Sequence, residues 1–229
     1  MRAVFFDLDG TLVDLPEDFA GLFEAALADH GVDAGPHHLE RYTEAFFGYL
    51  EECHSEPYRM AMADLRAAHD LDPDAEALAE TYIEREAAAT ELRSGVREAL
   101  DALASEPSDS AESASEIALG VLTNGGSRCQ RRKLARHGLA DYFDAVVASG
   151  DVGAGKPDLE IFAAAREAIP ADEYVFVADD LERDVLPAQE AGFTGVYLAG
   201  DDADAYRGEV DGRPDERVRS VAEVPDALG

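Results

Sequence analysis

The sequence predicts an α/β protein with a doubly wound, mainly parallel sheet and an α-helical cap inserted after the first strand. Three observations predict it. Five short apolar runs, at residues 3–6, 117–122, 145–148, 174–178 and 195–198, lack the alternation of a half-exposed strand, as strands buried on both faces of a parallel sheet do. Helical patterns alternate with the later runs, which is how parallel strands are joined. Residues 15–92, by contrast, offer no convincing strand. The expected division is an α/β core of residues 1–14 and 93–229 and a helical cap of residues 15–92.

The first run, Ala3-Val4-Phe5-Phe6, leads straight into Asp7 and Asp9. The cap reads as helices over 18–30, 38–54, 57–69 and 74–90, punctuated by Gly31, Gly35-Pro36 and Asp72-Pro73. Phe19, Phe23, Phe46, Phe47 and Tyr49 lie near helical spacing and are read for the most part as core packing. In the second half, helical patterns over 128–137, 159–168 and 184–191 stop at Gly138, before Pro170 and at Gly192. Residues 105–116 (SEPSDSAESASE) are acidic and Ser-rich, a solvated loop with no function assigned. From Asp201 the chain is acidic and irregular until an apolar stretch, 218–224, expected to pack on the core edge.

Fifty acidic residues face nineteen basic ones, a formal net charge of -31, and only Lys133 and Lys156 among the cations are lysines. Such a surface repels nucleic-acid phosphates and excludes that class of partner. Its self-repulsion is relieved by concentrated salt, where the screening length falls to about 3 Å at 1 M. Acid excess and lysine depletion together predict a cytoplasm holding molar salt. No apolar run approaches the roughly 20 residues that span a bilayer, and the opening run is too short for a signal peptide. The expectation is a cytoplasmic protein with no membrane partner. Cys53 and Cys129 are read as reduced thiols. The oligomeric state is left open.

Four elements can carry chemistry. Asp7 and Asp9 sit two residues apart at the end of a strand, followed by Gly10 and Thr11. Ligands of open α/β sheets bind outside the carboxyl ends of the strands. Two converging carboxylates need a cation, and oxygen ligands select magnesium; a carboxylate is also a covalent nucleophile towards phosphorus. Against this stands a plain Asp-Gly turn. The second element, Val121-Leu122-Thr123-Asn124-Gly125-Gly126, ends a buried strand in a hydroxyl and an amide before a helix, where phosphate oxygens can be held. The bland alternative is a Ser-capped helix after a glycine turn. The third is Lys156 in Gly155-Lys156-Pro157-Asp158, a compact cation suited to phosphate and carboxylate; its rarity speaks against a casual surface lysine. The stretch from Gly150 to Lys156 also satisfies the spacing of a nucleotide-binding P-loop, but Pro157 follows, with neither N–H nor hydroxyl, so that match is rejected. The fourth is Ala178-Asp179-Asp180-Leu181-Glu182-Arg183-Asp184, where another buried strand ends in acids that could complete a magnesium site. Asp184 either caps the next helix or holds Lys156.

In this order, Asp7-Leu8-Asp9-Gly10-Thr11, Thr123-Asn124, Lys156 and the acidic Asp179 motif resemble the haloacid dehalogenase (HAD) superfamily of hydrolases, in its phosphatase branch with a helical cap after strand one. The resemblance covers nearly the whole core; the cap matches only in position and helical character. It implies a Rossmann-like core and a Mg2+-dependent hydrolysis of a small phosphorylated metabolite: phosphoglycolate, a sugar phosphate or a nucleoside monophosphate. Asp7 would attack phosphorus and bind magnesium. Asp9 would protonate the leaving alcohol and then activate water, its backbone carbonyl on the metal. Thr123 and Lys156 would bind the phosphate with support from Asn124, and Asp179 would be the third protein ligand. Thr11, Asp180 and Asp184 would stand behind these groups. Ala178 departs from the pattern, since a glycine commonly precedes the acidic motif. The true dehalogenases of the superfamily lack an aspartate at the place of Asp9, which favours phosphate esters over carbon–halogen bonds. A phosphoglucomutase-type isomerase would share every residue named, and a non-catalytic acidic binding protein is the further alternative.

Overall fold

The computed structural model describes residues 1–105, 117–200 and 212–229. In chain order the first half runs β1 (Arg2–Phe6), β2 (Val13–Asp14), α1 (Phe19–Ala28), α2 (Pro36–Glu51), α3 (Pro57–His69), α4 (Ala75–Ala89), β3 (Glu91–Leu92) and α5 (Val96–Ala104). The second half runs β4 (Ile117–Thr123), α6 (Ser127–Arg136), β5 (Ala145–Ala148), α7 (Ser149–Val152), α8 (Leu159–Ala168), β6 (Glu173–Ala178), α9 (Leu186–Glu190), β7 (Thr194–Leu198), β8 (Glu216–Val218) and α10 (Val224–Leu228).

Six strands form one sheet in the order β5-β4-β1-β6-β7-β8, and every pairing in it is parallel. The apolar runs explain this. Successive side chains of a strand point to opposite faces, and here both faces are covered. Val4 and Phe6 enter a cluster with Val96 and Leu100 of α5 and Leu134 of α6. Ala3 and Phe5 enter the other, with Ile161 and Phe162 of α8. The packing is close enough that a Cβ on Gly120 would stand 2.3 Å from the Phe5 ring. Phe6 is in register with both Val121 and Val177, so β1, β4 and β6 end within two residues of the same level. The chain enters β4 on one side of β1 and β6 on the other. That is the switch point where open α/β sheets bind ligands.

Helices α1–α4 pack around a third cluster that includes Phe23, Leu27, Tyr42, Met62, Leu65, Leu78 and Tyr82. The chain leaves and re-enters the sheet region through β2 and β3, an antiparallel pair too short to read in sequence. Of the five aromatic positions read for the most part as core, Phe23 is buried and Phe46 and Tyr49 pack against this cluster, whereas Phe19 and Phe47 are exposed. Helix α2 begins at Pro36, not at 38, and ends at Glu51. Proline needs no N–H partner at the first helical position, so Gly35-Pro36 opens the helix instead of separating two. The pattern over 184–191 divides into a π-helical turn, Leu181–Val185, and α9. The P-loop-like stretch begins in α7, a helical turn. Both cysteines are free. Val218, Val221 and Val224 are buried on the core edge. Residues 106–116 and 201–211, which hold most of the two expected irregular stretches, lie outside the described residues. No helix among the described residues is long and apolar enough to cross a membrane.

Candidate active site

Asp7 is the first residue past β1, and its N–H still donates to Val177 O at 2.9 Å, so strand pairing fixes where its side chain starts. Thr123 closes β4, and Asp179 is the first residue past β6. Among the described residues, carboxylate oxygens of Asp7, Asp179 and Asp184 lie within 4.8 Å of one another. Lys156 Nζ enters the same volume, 2.9 Å from Asp7 Oδ1 and 3.1 Å from Asp184 Oδ2. Asp7, Lys156 and Asp184 are all buried. Lys156 reaches this position because the Asn124 amide clamps its peptide: Nδ2 donates to Lys156 O at 2.9 Å and Oδ1 accepts from Lys156 N at 2.8 Å. Both ends of Asn124 are thereby engaged, so its side chain positions the lysine.

Thr11 is buried and its hydroxyl donates to Asp179 Oδ1 at 3.1 Å. Gly10 lets this happen. It has φ +87°, and a Cβ on it would stand 2.3 Å from Asp179 Oδ2. The two readings of Asp184 separate cleanly. Asp180 caps the π-helical turn through Arg183 N at 2.9 Å, while Asp184 holds Lys156 and accepts from Arg183 Nε at 2.9 Å. Ser127 does not cap α6; its hydroxyl donates to Asp151 at 2.7 Å.

Three carboxylates, when ionised, outnumber the two cations that reach them, Lys156 and Arg183, and leave excess negative charge in a largely buried place. Burial chiefly, opposed by Lys156 and helped by Asp184 and Asp9, pushes the Asp7 carboxyl up to about 7. Burial likewise raises Asp179, against the Thr11 hydrogen bond. Asp184 goes the other way: burial opposes its charge, but Lys156 and Arg183 bring it below the usual carboxylate range. An all-oxygen set of this charge fits a hard divalent cation.

Asp9 is placed apart from that cluster. Lys133 Nζ lies 2.9 and 3.1 Å from its two oxygens, and Gln130 Nε2 donates to Oδ2 at 2.9 Å. Gln130 also donates to Thr123 Oγ1 at 2.9 Å. Lys133 pairs in addition with Glu86 of α4 at 3.0 Å. Burial opposes the charge on Lys133, and Cys129, Asp9 and Glu86 favour it, giving a net upward shift. Burial also pushes the Cys129 thiol up, so at neutral pH it is uncharged and the two carboxylates are the partners that count. Lys133, Gln130, Glu86 and Arg183 were not anticipated from sequence. For Lys133 the signal was present: it is the other of the two lysines.

The haloacid dehalogenase-like hydrolase pattern matches residues 1–192. A phosphoserine phosphatase of Thermus thermophilus is 38% identical over 110 residues, 47% of this chain and 43% of that protein. Like it, the first curated relatives are matched over less than half of their own length. A ribulose-1,5-bisphosphate 5-phosphatase of Halopiger xanaduensis aligns at 26% identity over 99% of this chain and 98% of its own. Among solved structures, a 2-haloacid dehalogenase of Pseudomonas syringae pv. Tomato DC3000 superposes with a TM-score of 0.75 at 26% identity, covering 100% of this chain and 98% of that one. A family pattern spanning five-sixths of the sequence, with a solved structure of that fold superposing over the whole chain, leaves one assignment: the chain belongs to the haloacid dehalogenase-like hydrolases.

Proposed function

We propose that this protein is a magnesium-dependent phosphatase acting on a small phosphorylated metabolite through an aspartyl-phosphate on Asp7, in the cytoplasm of a cell that holds molar salt. The observation that carries the reading is the gathering of Asp7, Asp179, Asp184 and the Lys156 ammonium in one buried volume where β1, β4 and β6 end. The phosphatases among its relatives point the same way.

In this reading Asp7, Asp179 and the Asp9 carbonyl hold magnesium, which when bound neutralises phosphate oxygen charge. Phosphoryl transfer asks chiefly for positioning and charge neutralisation. Asp7 attacks phosphorus, Lys156 and Thr123 hold the transferring phosphoryl oxygens, and Asn124 keeps Lys156 aimed. Asp9 gives a proton to the departing oxygen, then takes one from the water that hydrolyses the aspartyl-phosphate. Asp184 balances the charge of Lys156 and would add to the negative field that holds the cation. Helices α1–α4 serve as the cap that covers the substrate. The solved dehalogenase shares the fold and a quarter of the sequence; what favours phosphate is Asp9, a proton donor that a departing halide does not need.

Release of p-nitrophenol from p-nitrophenyl phosphate, in molar KCl with and without magnesium, tests this. Turnover that requires magnesium and disappears in Asp7→Asn supports it. No turnover in the wild type, or undiminished turnover in Asp7→Asn, removes it. With a sugar phosphate, free phosphate marks the hydrolase and a shifted phosphate an isomerase.

A further inference from the structure

We propose that Lys133, anchored by Glu86 of the inserted helices, is a positioning residue for Asp9, so that the seat of those helices on the sheet domain sets the direction of the carboxylate that serves the leaving group. The proposal rests on the reading of Asp9 given above. Lys133 bridges three elements: it stands on α6, reaches both Asp9 oxygens beyond β1, and pairs with Glu86 on α4 at 3.0 Å. Both Lys133 and Glu86 are buried, 2% and 4% exposed. Glu86 is fixed in turn by the Tyr58 hydroxyl, which donates to it at 3.0 and 3.1 Å from α3. Gln130 supplies the second grip on Asp9, and the same Nε2 reaches Thr123.

A buried ion pair is a poor packing device, because apolar side chains of similar volume do that task as well or better. Two features argue that this one is there to hold Asp9. The other basic residues of α6 are Arg128, Arg131, Arg132 and Arg136, yet the position facing Asp9 carries a lysine, whose compact ammonium can sit between two carboxylates. And α4 is fastened along α6 by arginines: Arg128 pairs with Glu76 and Glu80, besides Glu56 just ahead of α3, and Arg132 with Glu80 and Glu84. That ladder fixes the height of Glu86 over Lys133. A shift of the inserted helices would draw Glu86 from Lys133 and loosen the grip on Asp9.

The test measures kcat/KM across substituted phenyl phosphates, from p-nitrophenyl to unsubstituted phenyl, in molar KCl with magnesium. The poorer the leaving group, the more its departure depends on a well-aimed proton donor. Comparing substrates within one preparation cancels any inactive fraction, so a variant that is merely less folded loses all substrates equally. Lys133→Met is expected to lose at least tenfold more with phenyl phosphate than with p-nitrophenyl phosphate, in the manner of Asp9→Asn, and Lys133→Arg to recover part of it. Glu86→Gln keeps an acceptor oxygen for the Tyr58 hydroxyl and the Lys133 ammonium but removes the negative charge, and is expected to lose about threefold more with the poorer leaving group; it serves if Lys133→Met does not fold. Equal losses across the series in Lys133→Met or Glu86→Gln, with Asp9→Asn still selective, overturn the proposal alone. An unselective Asp9→Asn, or an active Asp7→Asn, overturns it together with the reading beneath it.

Discussion

Replacing Lys156 by methionine keeps a stem of similar length and removes the ammonium from between Asp7 and Asp184. In the native protein Nζ is 2.9 and 3.1 Å from their oxygens, and the lysine, Asp7 and Asp184 side chains are 1%, 4% and 0% exposed. At an effective dielectric of about 20, each pair at about 3 Å carries roughly 5 kcal/mol of attraction, offset in large part by desolvation. Breaking a buried pair by removing one partner costs about 3–5 kcal/mol, and that is the loss expected of the metal-free variant at pH 8. The loss shrinks on acidification. Asp7 in the fold titrates near 7, above the ordinary 3.8, so between these values the folded state holds the extra proton and stability falls as pH rises. Deleting Lys156 removes the charge that most lowers this carboxyl, so the window extends to higher pH. Urea unfolding in 2 M KCl with EDTA, at pH 5 and pH 8, measures both differences against the wild type. A loss under about 1 kcal/mol at pH 8, or the same loss at both pH values, refutes the reasoning.

Four further outcomes are expected. Asp179→Asn raises the magnesium concentration for half-maximal activity at least tenfold, while the metal-free protein keeps its stability because burial already works against that charge; titrating activity with magnesium checks the first and urea unfolding the second. Gly10→Ala, whose Cβ would collide with Asp179, weakens magnesium activation in the same titration and costs about 1–3 kcal/mol for the left-handed backbone at φ +87°. Phe5→Ala, deep between β1 and α8 with its ring edge-on to Phe193, lowers stability by about 3–5 kcal/mol in urea without changing the magnesium midpoint. His137, lowered by burial and by Arg136 and Arg97, shows an NMR titration midpoint below 6.5, and the stability tied to its neutral form is lost as pH falls from the unfolded value through the folded one.

The parallel sheet was legible because its strands are buried on both faces and so read as unbroken apolar runs; Ala3-Val4-Phe5-Phe6 feeds two clusters at once. The candidate site positions were legible because they follow those runs directly, as Asp7, Thr123 and Asp179 do. Helix α5 was not read, since it opens on Gly95 in the left-handed region with no side-chain cap and lies next to the acidic stretch. The two-residue strands β2 and β3 carry no period to detect. Within the site, Glu86 is one of four glutamates on α4, and only packing separates it from the exposed Glu76 and Glu84. The argument from scarcity that singled out Lys156 applied with equal force to Lys133. The resemblance implied that Asn124 supports the phosphate site; that its amide grips the Lys156 backbone depends on a loop 32 residues away folding back onto it.

The measurement that bears most directly on the account is a chemical trap of Asp7. Quenching the enzyme during turnover of p-nitrophenyl phosphate and reducing with borohydride converts an aspartyl-phosphate to homoserine, which peptide mass spectrometry places in the sequence. Homoserine at position 7, dependent on substrate and magnesium, is the predicted result. Reduction at another carboxylate, with position 7 untouched while turnover proceeds, would contradict it.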